Sequence, residues 1–134
     1  MSRIIRLSIT VPILLAIWGV SEGGELAYVC TVAHVYKVSD HGKLIESEFD
    51  DEIEGARFAV SRLGGKIPGE VLATPSAEST RVVNHRSGSN SFKAVADFGD
   101  QFQSLEVQEF REGERKPFVA SSMGGVGIAT GVCR

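Results

Sequence analysis

The chain has 134 residues, the length of one domain, and its 17 acidic and 14 basic residues give a net charge of −3. An acidic surface repels nucleic acid and anionic membranes, so we expect neither as a partner. The two cysteines do not form a C-x-x-C pair, which argues against a redox role.

The first 21 residues have the pattern of a secretory signal peptide. Arg3 and Arg6 form a positive start, an uncharged apolar run follows at residues 7–20, and cleavage is expected after Ser21. A membrane anchor is the less favoured alternative, because the run is shorter than the ~20 residues that span a bilayer and contains Pro12. We therefore predict an exported protein, periplasmic or secreted, with a single mature domain at residues 22–134.

Export changes both the charge and the expected state of the cysteines. Removing residues 1–21 takes away two arginines and no acid, which shifts the net charge from −3 to −5 and favours a neutral or cationic partner. Cys30 and Cys133 are then most simply a disulfide. A closed loop of about 100 residues stabilises by roughly 4.7 kcal/mol if the effect is entropic.

The mature chain begins with its longest apolar, β-rich run, at residues 26–38, followed by hairpin-turn residues at 40–43. Further strands are predicted at residues 58–62, near Ile67, and at 80–86, 91–98, 102–111, 117–123 and 127–133. About seven or eight short strands with turns between them predict an all-β fold, either a small antiparallel barrel or a sandwich.

The sequences of two predicted strands also indicate local features of the backbone. Phe102 and Phe110 fall on the polar side of the alternation in residues 102–111, so a bulge or bend is expected there. Small residues in the last strand, including Gly131, would let a neighbouring backbone or aromatic ring approach closely.

Residues 44–55 are strongly acidic and predict either a short helix or an irregular loop. A calcium loop is disfavoured, because the central glycine of an EF-hand is missing. A solvated charged face is the favoured interpretation. Within it, Asp50, Asp51 and Glu52 are the candidates for attracting a basic partner.

Tyr28, His34 and Tyr36 share one face of the first strand if its alternation is regular, and they form the candidate pocket. The three histidines match no zinc spacing, so no metal or cofactor is expected. A Ser-His-Asp triad depends on geometry, and a serine or carboxylate near His34 or His85 would support one. No G-x-S-x-G motif is present, so an enzyme is disfavoured.

The two ends of the chain carry a resemblance. The Tyr28-Val29-Cys30 start and the Thr130-Gly131-Val132-Cys133 end resemble small uncharacterised exported bacterial proteins with a C-terminal T-G-x-C strand. Exported bacterial lysozyme inhibitors are similar in placing a cysteine in an early Tyr-x-Cys strand of a β-barrel. The resemblance to inhibitors is one of fold type alone.

Four functional hypotheses follow. The absence of a recognisable catalytic or metal motif favours a non-enzymatic binding module for a protein or small ligand. The alternatives are an inhibitor of a basic envelope-targeting enzyme such as a lysozyme, a small hydrolase with a dispersed site, and a structural envelope protein without a discrete ligand.

Overall fold

The computed structural model describes residues 26–48, 53–85, 89–123 and 127–134. The predicted signal peptide and the candidates Asp50, Asp51 and Glu52 lie outside the described residues. The strands are β1 (Ala27–Val38), β2 (Leu44–Glu46), β3 (Arg57–Ser61), β4 (Ser79–Asn84), β5 (Phe92–Asp97), β6 (Phe102–Val107), β7 (Lys116–Met123) and β8 (Gly127–Cys133). The all-β prediction is confirmed. No helix among the described residues is long and apolar enough to cross a membrane.

All eight strands belong to one antiparallel sheet, in the order β2-β1-β8-β7-β6-β5-β4, with β3 also paired to β1. The length of β1 explains this arrangement, because its first half pairs with β3 and its last residues pair with β2, while β8 pairs along its other edge. β3 and β4 do not pair with each other. The sheet is therefore not closed into a barrel, and of the two predicted architectures the structure is closer to the sandwich.

The sheet nevertheless curves around one core. Phe58 of β3 meets Phe118 of β7 edge-on, with ring centroids 5.2 Å apart. Tyr28 of β1 contacts Phe92 of β5 at 5.1 Å between ring centroids. Neither pair comes from neighbouring strands, so the two halves of the sheet face each other across a shared apolar interior.

The bulges do not lie where the sequence predicts one. β6 pairs with both neighbours in continuous register from Phe102 to Val107 and ends there, so Phe110 lies beyond the strand. Of the bulge or bend predicted inside residues 102–111, the structure therefore shows the bend, because the chain turns at residues 109–110. The register shifts occur instead in β1, between Val32 and His34, and in β4.

The first and last strands are joined covalently, because the sulfurs of Cys30 and Cys133 form the predicted disulfide. The two cysteines are also direct partners in the β1–β8 ladder. Nearby, Gly131 allows the predicted close approach. A Cβ atom at this position would lie 1.9 Å from the carbonyl oxygen of Thr31 and 2.7 Å from a ring carbon of Phe118. β8 can therefore lie this close to β1 and Phe118 only with glycine here.

Candidate functional site

The residues of the predicted pocket do not come together. The register shift in β1 makes Ala33 an extra residue, so the alternation changes phase and Val35, only 6% exposed, enters the core. His34 is consequently exposed and Tyr36 half-buried, with their rings 5.8 Å apart. Tyr28 precedes the bulge and lies in the core, so it faces the opposite side of β1.

Tyr28 belongs to a polar cluster at the edge of the core. Its hydroxyl donates a hydrogen bond to Oε1 of Glu109, and the guanidinium carbon of Arg62 lies 3.8 Å from its ring centroid. A cation over an aromatic ring face is attracted by the ring quadrupole. With its ring 1% exposed, Tyr28 is a structural residue and is not available to line a pocket.

A cleft of about 640 Å³ lies between the outer face of β3 and the loop that joins β3 to β4, residues 62–78. We call this segment the β3–β4 loop. Most residues that line the cleft are apolar, among them Leu26, Ala59, Ile67, Pro68, Pro75 and Ala77. The cleft lies where the sheet stays open between β3 and β4, and residues of both strands line it.

The β3–β4 loop is held firmly against the sheet. Ile67 is buried in the core, its N–H donates to Oγ1 of Thr74 at 2.9 Å, and its carbonyl accepts the N–H of Thr74 at 2.8 Å. Farther along, the side-chain amide of Gln103 on β6 donates to the carbonyl of Leu72 at 2.7 Å. The predicted short strand at Ile67 is wrong, because the backbone of Ile67 pairs within the loop. These contacts give the cleft a fixed wall.

A tight turn places the start of the loop. Gly65 has a φ of 75°, and a Cβ atom there would lie 2.9 Å from Cβ of Ala94 on β5. Glycine is therefore required both by the backbone conformation and by the contact with β5. The turn covers residues 62–64, and it is closed by hydrogen bonds from the N–H of Gly65 to the carbonyl of Ser61 and from the N–H of Ser61 to the carbonyl of Lys66.

Backbone groups on the β3 side of the cleft are available to a ligand. The N–H of Arg62 bonds to β1 through Leu26, so by alternation the N–H and C=O of Ala59 point away from β1. On the other side of the cleft, Ser79 is the register partner of Asp97 on β5, so its backbone groups belong to the β4–β5 ladder. β3 pairs only with β1, so among the described residues the backbone groups of Ala59, which lines the cleft, have no hydrogen-bond partner.

The cleft carries little net charge. Lys66 and Glu78 are its charged lining residues, both exposed and opposite in sign. The described part of the chain contains no group of three or more metal-ligating side chains. No hydrogen bond between described residues joins His34 or His85 to a serine or carboxylate. The site therefore offers apolar contact and backbone hydrogen bonds.

We expect Thr74→Val to lower the free energy of unfolding by about 1–3 kcal/mol, because it leaves the buried N–H of Ile67 without its acceptor. Urea denaturation followed by circular dichroism measures this change. Thr80→Val is the matched control, since Thr80 lines the same cleft and its side chain makes no hydrogen bond to a described group. Equal losses in the two variants would show that the hydrogen bond does not stabilise the loop.

The sequence did not reveal this site. Pro68, Gly69 and Pro75 indicate a loop, but nothing local shows that the loop forms a cleft with β3. Neither the protein-family models, nor the curated proteins, nor the solved structures compared with this chain give a significant match.

Proposed function

We propose that the protein is a non-enzymatic binding module that takes a largely apolar ligand into the cleft between β3 and the β3–β4 loop. The observation that supports this most directly is the cleft itself. Its volume of about 640 Å³ lies within the usual range for ligand pockets, roughly 300–1,000 Å³. An apolar lining with a few well-placed polar groups is also typical of such pockets.

The lining favours a ligand whose buried part is neutral. Lys66 and Glu78 offset each other, so the cleft attracts neither sign of charge strongly. The backbone groups of Ala59 can bond to polar atoms of the ligand. A small molecule or an apolar segment of a partner protein would both satisfy this site.

We also propose that the domain acts outside the cytoplasm after loss of residues 1–21. A disulfide-bonded, all-β domain is compatible with export, because disulfides persist in oxidising compartments. The inhibitor alternative rests on Asp50, Asp51 and Glu52, outside the described residues, and the hydrolase alternative has no supporting contact among the described ones. Ligand binding in the cleft is therefore the function that we favour.

The test is binding of the neutral apolar dye N-phenylnaphthylamine, whose fluorescence rises when it leaves water. We expect the mature protein to bind it and Ala59→Phe to weaken binding at least about tenfold, because the new ring fills the cleft. Val83→Phe is the control, since Val83 is an exposed β4 residue outside the cleft lining. Absence of dye binding by the unmodified protein, or equal binding by both variants, would contradict the proposal.

A further inference from the structure

A second pocket, of about 180 Å³, lies on the same outer face of β1 and β3 as the cleft. Three of its lining residues are arginines, Arg57, Arg115 and Arg134, and Val29, Thr31 and Val132 line the rest together with Cys133. We call it the arginine pocket.

Strand pairing brings the three arginines together from distant parts of the sequence. Arg57 on β3 is the register partner of Thr31 on β1. Arg134 follows β8 and exchanges two backbone hydrogen bonds with Val29, of 2.9 and 3.0 Å. Arg115 immediately precedes β7, which pairs with β8. Pairing of the four adjacent strands β3-β1-β8-β7 therefore fixes the backbone positions from which the three arginine side chains extend.

The arginine pocket is locally cationic. No aspartate or glutamate lines it, and none of the three arginines forms an ion pair with an acidic group of the described residues. The acidic net charge of the whole chain matters little at contact distance, because charges farther than about 8 Å are screened at physiological salt. Guanidinium groups are well suited to carboxylate and phosphate, which they bind through paired hydrogen bonds.

The arginine pocket adjoins the cleft. Val29, which lines the arginine pocket, is the register partner of Ala59, which lines the cleft. The next pair toward the start of β1, Ala27 with Ser61, lines the cleft as well. Side chains directly opposite on one face of an antiparallel pair lie about 4.5–5.5 Å apart at Cβ. The two cavities therefore lie next to each other on one face of the β1–β3 pair.

We propose that the arginine pocket binds the single anionic headgroup, carboxylate or phosphate, of a small amphiphile whose apolar chain lies in the cleft. This inference rests on the proposed function and adds the chemical class of the ligand. Net charge alone predicts a neutral or cationic partner, whereas the local charge next to the cleft favours an anionic headgroup.

The experiment compares three ligands with the same alkyl chain, decanoate, decyl phosphate and decanol, below their micelle concentrations. Each displaces the bound dye, which gives its affinity. We expect the two anionic ligands to bind at least about fivefold more tightly than decanol, the upper end of what one exposed ion pair provides. The two anionic arms distinguish a carboxylate from a phosphate headgroup. Raising the salt concentration should weaken binding of the anions and leave decanol unchanged.

Single variants locate the headgroup. Arg57→Gln and Arg115→Gln should each remove most of the preference for decanoate over decanol, with decanol affinity unchanged. Lys93→Gln removes one exposed positive charge on β5, outside both cavities, and should leave the preference intact. Circular dichroism of each variant verifies the fold.

The outcomes separate this inference from the proposed function. Equal binding of decanoate and decanol by the unmodified protein, or a preference that survives both arginine variants, would overturn the headgroup site while ligand binding in the cleft stands. Failure of the dye and of all three ligands to bind would overturn both.

Discussion

Gly131→Ala is expected to lower the free energy of unfolding by about 3 kcal/mol or more. Overpacking usually costs about 1–3 kcal/mol, and here the first atom that the new methyl group meets is backbone. The Cβ atom would lie 1.9 Å from the carbonyl oxygen of Thr31 and 2.7 Å from the ring of Phe118. The ring can shift, but the carbonyl is held in the β1–β8 ladder, so β1 and β8 would have to separate. Urea denaturation of the mature protein measures the loss.

Gly127→Ala is the matched control for this prediction. Gly127 lies in the same strand, and a Cβ atom there would have no described atom within 4 Å. We expect its stability to change by no more than about 0.5 kcal/mol. Similar unfolding midpoints for the two variants would contradict the close approach of β8 to β1. If the Gly131→Ala variant fails to fold while the Gly127→Ala variant folds, the result would support the close approach of β8 to β1.

Loss of the Cys30–Cys133 bond is expected to cost about 2–5 kcal/mol, the usual range for a native disulfide in a small secreted domain. The cysteines are 103 residues apart in sequence, so the bond restricts nearly all of the described chain when it unfolds. Both side chains are also buried in the core, where they pack beside the β1–β8 ladder. Chemical reduction removes the bond without removing either sulfur atom.

The measurement is urea unfolding of the oxidised protein, the reduced protein and the variant Cys30→Ala/Cys133→Ala. The reduced protein should lose most of the stability that the double variant loses, since the restraint on the unfolded chain is absent from both. An unchanged midpoint after complete reduction, verified by thiol titration, would show that the bond adds no stability. A large loss in the variant alone would assign the effect to packing of the sulfur atoms.

Local patterns in the sequence were sufficient to predict much of the fold. The run at residues 26–38 and the last strand were predicted within a residue of β1 and β8, because β-rich composition and flanking glycines are local signals. The disulfide was predictable because only two cysteines are present. The choice between barrel and sandwich was not predictable. It depends on whether β3 and β4 pair, and the sequence of neither strand contains that information.

Tyr28, His34 and Tyr36 were wrongly placed on one face of the first strand for a specific reason. The first strand is largely apolar on both faces, so its alternation does not reveal the phase change at Ala33 that separates His34 from Tyr28. The cleft and the arginine pocket were missed because their residues become neighbours only through pairing of distant strands. Arg57 and Arg115 have no spacing in the sequence that could indicate a shared site.

The pairing of the first strand with the last has a consequence for how the chain folds. β4, β5, β6 and β7 pair in chain order, so each can join its neighbour through a local contact as soon as both exist. β1 pairs with β2 and β3 early, but β8, which contacts it most extensively, is formed last. Non-local strand pairing of this kind slows folding, typically to milliseconds or seconds. Until β8 arrives, a twelve-residue apolar strand has an open edge, and an incomplete chain is therefore at its most prone to aggregation along β1.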